Sequence, residues 1–365
     1  MHGTPGAAVI SRLTRLTTHL RPHHIRSAVT DTMSSSSPPA APWRSLLLSH
    51  ITSMDPPVFT LGTLRRASAG GARDRRSSVL AMPVYLPRAR TCICRGLWTH
   101  LPVNPKNDAP LNPSGVWESD LLTFTTDARM DKMEELWEDG IDLGLRAGRG
   151  PDPGSPTTMK VGEELWEEGL ARKKGKAIEE VVAKSTVEKL KSSGGGAVVE
   201  AAFWAPKPGV QWRVRGRAYV LAPDIESSPE CREVITLLKS RMRRPSPPDG
   251  GRAHRDESEW SFAREITAHF GNLSPIMRGS FRNPPSGRPV TLPVEGEGLA
   301  LGQKVTDLED PIARANFRVV VIVPDELDQT DLSDPEHPRR WIHTHVGAAG
   351  HARGQPEWET VEVWP

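Results

Sequence analysis

The sequence predicts a mainly β protein in which many strands, separated by short helices, close into a barrel rather than form an α/β sheet. Segments rich in β-branched and aromatic residues recur along the chain, and helix-like spacing of apolar residues is confined to short stretches. The 365 residues include 34 Pro and 31 Gly, and 37% of all residues are hydrophobic. We therefore expect one core domain with long loops rather than two tightly packed domains.

A helix and three strands are expected in the first third of the chain. Residues 41–51 show helix-like apolar spacing, which Pro56 and Pro57 bring to an end. Strands are predicted at 58–64, 79–97 and 121–126, with loops at 65–78 and 104–115. Alternation in the second strand places Arg90, Cys92 and Cys94 on one face and Thr91, Ile93 and Arg95 on the other. The cysteines lack two further ligands, which favours small core residues over a metal site.

A helix and an insertion follow. Asp127 is expected to cap a helix that begins near Met130 and ends at Gly140. Residues 141–195 are interpreted as an insertion with a Gly- and Pro-rich loop, a charged helix at about 160–191 and a Ser/Gly linker. Its basic run, residues 172–176 (RKKGK), is accompanied by acidic residues and indicates a solvated face rather than a nucleic-acid site.

The second half of the chain begins with the clearest hairpin. Residues 197–204 and 210–222 flank a Pro-Lys-Pro-Gly turn at 206–209. Helices are predicted at 230–243 and 257–270, and Ser274 is expected to cap a short helix that begins with Pro275. After an irregular segment at 284–308, strands are predicted at 317–323, which Pro324 ends, and at 339–345 and 360–363.

Charge and hydropathy exclude several classes of protein. A net charge of +2 gives no global field that would attract nucleic acid or an anionic membrane surface. No stretch of about 20 apolar residues is present, so no membrane span is predicted. Three cysteines cannot build a disulfide framework and fit a reducing compartment.

The first residues have the composition of a leader. Residues 1–30 contain four Arg and no acidic residue, which resembles a mitochondrial presequence. A disordered extension ahead of a start at Met33 is the alternative. We therefore interpret residues 1–40 as a leader of one kind or the other, and localisation as mitochondrial or cytoplasmic.

Four segments, in this order, carry a family resemblance. They are residues 87–96 (PRARTCICRG), 124–132 (FTTDARMDK), 210–216 (VQWRVRG) and 339–341 (RRW). Together they resemble the FMN-binding split β-barrel of the pyridoxamine 5′-phosphate oxidase-like proteins, over about residues 41–135 and 197–365. The chain looks closest to a largely uncharacterised fungal branch with an LSP motif at 273–275 and an NPPSG loop at 283–287. The resemblance implies that residues 41–365 form one barrel domain, interrupted by the insertion.

The same resemblance implies FMN as cofactor and a homodimer with sites across the subunit interface. FMN needs a clamp for its dianionic phosphate, polar contacts to the ring edge and an apolar wall for the isoalloxazine. By resemblance, Arg90 and Lys132 hold the phosphate. Asp131 stands where related oxidases carry a basic residue, and Arg129 is expected to replace the lost charge.

Further cofactor contacts follow from the other motifs. Gln211 is expected to hydrogen-bond the flavin or its ribityl chain, and Arg340 to reach the cofactor from the other subunit. The remaining contacts are expected from two strands, through Thr91, Arg95, Thr125 and Thr126. Without the resemblance, Arg90 and Arg95 are typical of surface charges on an edge strand. Likewise, Lys132 and Gln211 are typical of solvated residues.

The resemblance implies an FMN-dependent oxidoreductase that acts on an unknown small molecule. No residue stands out as a general acid or base, which fits a reaction performed by the cofactor. A non-catalytic FMN-binding or flavin-sensing module is the alternative, and a barrel that binds RNA through Arg and Trp ranks last. Arg340 is followed by Trp341-Ile342-His343, whereas pyridoxal phosphate-forming oxidases have an Arg-x-His spacing. This difference argues against a vitamin B6 compound as the substrate.

Overall fold

A computed structural model describes residues 39–66, 85–137, 192–245, 256–294, 296–347 and 357–365. The predicted leader up to residue 38 and the predicted insertion between 138 and 191 lie outside these residues, as do most of the loops predicted at 65–78 and 245–255. Within the described ranges, no helix is both long and apolar enough to cross a membrane.

Six antiparallel strands close into a barrel, as the sequence predicts. The strands are β1 (Val58–Arg66), β2 (Tyr85–Leu97), β4 (Leu122–Asp127), β5 (Gly194–Ala205), β6 (Val210–Leu221) and β8 (Phe317–Asp331). The ring runs β8-β4-β2-β1-β5-β6 and returns to β8, because β8 pairs with both β4 and β6. Two strands, β9 (Arg339–His345) and β10 (Trp358–Val363), extend the sheet beyond β8. A separate two-stranded ladder joins β3 (Glu118–Ser119) to β7 (Met242–Arg243).

Strand β8 belongs to both halves of the sheet. Its first half pairs with β4, where Phe317 lies opposite Asp127, and its second half pairs with β9, where Asp331 lies opposite Arg339. On its other side β8 pairs with β6 along its length. The prediction that Pro324 ends this strand is therefore wrong. Pro324 lies opposite Gly216 at a register shift, and a residue without an N–H is tolerated at such a bulge.

The barrel interior is one apolar cluster to which all six strands contribute. Phe59, Phe124 and Trp212 are among its largest side chains, and Cys92 and Cys94 belong to it, which confirms them as core residues. A second cluster lies against the opposite face of β8, where Val319 and Val321 are fully buried. Because β8 is covered on both faces, its sequence reads as a continuous apolar run.

Short helices cover the barrel, and Ser274 caps one of them as predicted, accepting a hydrogen bond from Met277 N. Asp127 is not the predicted helix cap, because it ends β4 and the next helix begins only at Lys132. The predicted Ser/Gly linker is also wrong at its end, since Gly194 already begins β5. The helices are α1 (Arg44–Thr52), α2 (Lys132–Trp137), α3 (Arg232–Ser240), α4 (Phe262–Gly271), α5 (Pro275–Gly279) and α6 (Pro311–Asn316).

Candidate functional site

A cavity of about 480 Å³ lies on the outer side of the barrel wall. It is bordered by β2, by the end of β4 with the turn that leads into α2, and by α5 with the loop that follows. Six of the nine residues predicted to contact the cofactor line it, namely Thr91, Arg95, Thr125, Thr126, Arg129 and Lys132. The structure thus brings together residues from two separate motifs.

Strand pairing explains why these residues meet. Cys94 on β2 lies opposite Phe124 on β4, and both side chains point into the barrel interior. Their neighbours Arg95 and Thr125 therefore point outward, because side chains alternate along a strand. The turn after β4 then returns Lys132 to the same cavity.

Lys132 is a cation that has no acidic partner among the described residues. Its ammonium donates to Thr126 Oγ1 at 3.1 Å and contacts Met130 Sδ at 3.2 Å. Within the described ranges it forms no ion pair with a carboxylate. Burial lowers the pKa of Lys132 from its ordinary value, as expected for an ammonium held away from water.

Arg95 is a second such cation. Its Nε is buried and has no hydrogen-bond partner, and no carboxylate in the described part of the chain pairs with it. Burial lowers the pKa of Arg95, with a smaller opposing effect from Cys94. A buried donor without a partner is unfavourable, and a phosphate beside Arg95 and Lys132 would satisfy both cations. The charges of the cavity therefore fit the dianionic end of FMN.

Arg129 differs from these two residues, because its charge is already balanced. Its guanidinium donates to both carboxylate oxygens of Asp127 and to the carbonyl oxygen of Asn283 at 2.7 Å. Arg129 thus ties the turn after β4 to the loop after α5. Asp131 pairs with Arg65 at 3.5 Å and is largely exposed.

The cavity also has an apolar wall, which α5 and its flanks supply. Leu273, Ile276, Met277 and Phe281 line it, and Ile276 is 60% exposed. An exposed isoleucine beside two partly buried cations suits a flat ring that carries a charged tail. In the sequence, this region was noted only for the LSP motif at 273–275 that resembles a fungal branch of the family. The adjacent apolar pair at 276–277, directly after a capped Pro, was the signal that could have identified it.

Arg90 lies outside the cavity lining. It points into the barrel end, forms an ion pair with Glu135 of α2 and donates to Thr63 Oγ1 at 2.8 Å.

Gln211 and Arg340 form a second group, also outside the cavity lining. Gln211 lies opposite Thr330, and Thr330 lies opposite Arg340, so the three residues form one row across β6, β8 and β9. Arg340 donates to both oxygens of Asp328, at 2.9 and 2.8 Å.

Comparisons with known proteins agree with this geometry. Residues 40–147 match the family model described as pyridoxamine 5′-phosphate oxidase, FMN-binding domain. This segment, under a third of the chain, contains all six predicted residues that line the cavity. The search of curated proteins found no match.

Two solved structures are similar at low identity. One is a pyridoxamine 5′-phosphate oxidase-related, FMN binding protein from Nostoc punctiforme, with 15% identity and a TM-score of 0.44 over 90% of this chain and 100% of that chain. The other is PhzG from Burkholderia lata in complex with tetrahydrophenazine-1-carboxylic acid, with 14% identity and a TM-score of 0.39 over 90% and 94%. Identities and TM-scores this low establish no function. The strand topology and the family match support the split-barrel fold. Over residues 40–147 the chain is therefore similar to the FMN-binding domain of the pyridoxamine 5′-phosphate oxidase family.

Proposed function

We propose that the protein is an FMN-dependent oxidoreductase that acts on a small organic molecule. The observation that carries this proposal is one cavity that combines two partly buried cations, Arg95 and Lys132, with an apolar wall, beside the segment that matches the FMN-binding domain. Bound FMN supplies the chemistry, by exchanging a hydride with the substrate and passing electrons to an acceptor.

The residues of the chain bind and orient the cofactor. Lys132 and Arg95 hold the phosphate by charge-assisted hydrogen bonds, and Thr125 and Thr126 supply hydroxyl or backbone contacts beside it. Ile276 and Met277 on α5 provide the apolar surface for the ring and keep water from it. No described side chain is assigned as a general acid or base.

A second groove offers a path for the substrate. It has a volume of about 650 Å³ and shares Thr91 with the cofactor cavity. Trp204, 49% exposed, and Lys207 line its far side. An exposed indole beside an ammonium suits a planar organic molecule with a polar or anionic substituent.

An absorbance spectrum tests the activity. The protein is loaded with FMN, excess cofactor is removed, and NADH or NADPH is added without oxygen. Flavin bands that co-purify and then bleach support an oxidoreductase, whereas bands that stay oxidised indicate a binding or flavin-sensing module. A colourless protein would contradict the assignment of FMN as cofactor. The same protocol with riboflavin is the control for the phosphate contacts.

We also propose that the protein acts as a homodimer in which the Gln211 and Arg340 row of one subunit completes the cavity of the other. The proposal rests on the separation of this row from the cavity lining. The monomer alone is then expected to bind FMN poorly.

Subunit complementation tests this arrangement. Lys132→Ala and Arg340→Ala are each expected to impair binding, and random pairing of the two variants restores about a quarter of the sites. Asp328 keeps Arg213 as a partner when Arg340 is removed, so the fold should tolerate the change. Mixing that restores no binding contradicts the shared site.

A further inference from the structure

The loop that follows α5 begins in the wall of the cofactor cavity. Asn283, Pro284 and Ser286 line this cavity, and Gly287 comes next along the chain. Gly287 has a φ of +80°, and a Cβ there would meet no atom within 4 Å. Residues 287–294 form neither helix nor strand. The tip of the loop, residues 287–294, thus starts beside the cavity at a glycine with open space around it and a backbone conformation that favours glycine.

Both ends of this loop are fixed by hydrogen bonds. At its start, Arg129 donates to the carbonyl oxygen of Asn283 at 2.7 Å. At its end, Arg282 donates to the carbonyl oxygen of Gly298 at 3.1 Å, and Ala300 N donates to Arg282 O at 3.0 Å. The tip therefore lies on a surface loop whose two ends are held close together.

The tip carries three aliphatic side chains that contact solvent. Val290 is 99% exposed, Val294 53% and Leu292 48%. Such exposure is unfavourable, because an apolar side chain gains free energy when it leaves water. Three exposed aliphatic residues within five positions are therefore expected to meet another apolar surface.

The cofactor cavity offers such a surface within reach of the tip. Ser286 is in the cavity lining, and the four residues from there to Val290 span at most about 14 Å. Ile276 in the apolar wall is 60% exposed, so the cavity is open to solvent on the side of α5. A flavin ring that packs against this wall still turns apolar surface toward the opening.

We infer that residues 287–294 close over this opening when the cofactor binds, so that Val290 and Leu292 cover the isoalloxazine ring. The inference rests on the proposed function and adds to it a cover that forms only around the bound ring. Gly287 and the fixed end at Gly298 bound the part of the chain that moves. Because the contact is made with the ring and not with the phosphate, it serves FMN and riboflavin equally.

Thiol labelling tests the closure, because the three natural cysteines are buried. Val290→Cys is treated with a maleimide, and the wild-type protein gives the background rate. Saturating FMN or riboflavin is expected to slow the labelling of Val290→Cys about tenfold, as the side chain leaves water. Leu301→Cys is the matched control, because Leu301 is 77% exposed but follows the fixed end of the loop, so flavin leaves its labelling rate unchanged.

Flavin affinity supplies a second measurement. Leu292→Ser is expected to weaken the binding of FMN and of riboflavin by the same factor, about tenfold, because the lost contact is with the ring. Leu301→Ser is expected to change neither affinity. Loss of a phosphate contact, in contrast, weakens the binding of FMN alone.

Three results would overturn the inference. If flavin absorbance bands show binding while Val290→Cys is still labelled at the flavin-free rate, the loop stays open. If FMN slows the labelling and riboflavin does not, the loop follows the phosphate. Slow labelling without flavin that depends on protein concentration assigns the tip to contact with a second copy of the chain. A protein that binds neither flavin contradicts the proposed function itself, and the closure with it.

Discussion

The ammonium nitrogen of Lys132 at the start of α2 lies 3.1 Å from the hydroxyl oxygen of Thr126 at the end of β4. This contact presents the charge to the cavity without neutralising it. Lys132→Ala is therefore expected to weaken FMN binding by about 1.5 to 3 kcal/mol, the range for a charge-assisted hydrogen bond, and to leave riboflavin binding unchanged. Fluorescence titration measures both affinities. Lys239→Ala, an exposed lysine on α3, is the control, and equal losses for both ligands would contradict a phosphate contact.

Arg95 is expected to strengthen FMN binding while it lowers the stability of the FMN-free protein. Its guanidinium is partly buried and its buried Nε has no hydrogen-bond partner among the described residues, so Arg95→Met should stabilise the FMN-free protein by about 1 kcal/mol while it weakens FMN binding. Chemical denaturation without cofactor and titration with FMN measure the two effects. Arg232→Met, at an exposed position on α3, should change neither. A variant that is less stable without FMN and still binds it normally would show that Arg95 is structural.

His269 is expected to make stability depend on pH. It is fully buried and stacks on Trp98 with ring centroids 5.9 Å apart, and burial lowers its pKa from 6.5 to about 3. At mildly acidic pH, His269 is therefore protonated in the unfolded chain but not in the folded chain. Its contribution to the free energy of unfolding is fully present above the unfolded pKa and falls as pH drops toward about 3. We expect a loss of about 2 kcal/mol between about pH 7 and pH 5 from this residue.

Denaturation of His269→Phe at the same two pH values checks this assignment. The variant should lose stability less steeply than the wild type on acidification. The control is His100→Gln, because His100 is exposed and its removal should leave the slope unchanged. A His269→Phe slope equal to that of the wild type would assign the acid sensitivity to other groups.

The bulge between β6 and β8 is expected to require glycine. A Cβ at Gly216 would lie 2.1 Å from Val323 O and 2.8 Å from Pro324 Cα, and both are backbone atoms. Gly216→Ala should therefore destabilise the protein by about 2 kcal/mol or more. In contrast, a Cβ at Gly62 would lie 3.5 Å from Glu200 O, so Gly62→Ala should stay within about 1 kcal/mol of the wild type. Melting temperatures compare the two, and equal effects would argue against the bulge.

Local patterns predicted the barrel and most of its strands, because alternation and β-branched composition act over a few residues. The end of β8 could not be predicted in this way. Pro324 is tolerated only because Gly216, on another strand, lets the register shift beside it. That compensation depends on a partner that no local pattern identifies.

The site was predictable to a similar degree. The family resemblance predicted Arg95 and Lys132 as cofactor contacts, and both line one cavity. The environment of Arg90 was not predictable, because its partner Glu135 lies 45 residues away and is recruited by the packing of α2. The ion pair by which Asp127 neutralises Arg129 likewise became evident only from the structure.

Because β8 pairs with both β4 and β6, the barrel cannot close during synthesis until β8 has emerged. Strands β4 and β6 each expose an unpaired edge until residues 317–331 emerge, roughly a hundred residues after β6. At typical rates of about 5–20 residues per second, the nascent chain spends several seconds as an open five-stranded sheet. Truncation before this strand leaves the sheet permanently open. The interval before closure is thus the period in which the chain is most exposed to misassembly and most dependent on chaperones.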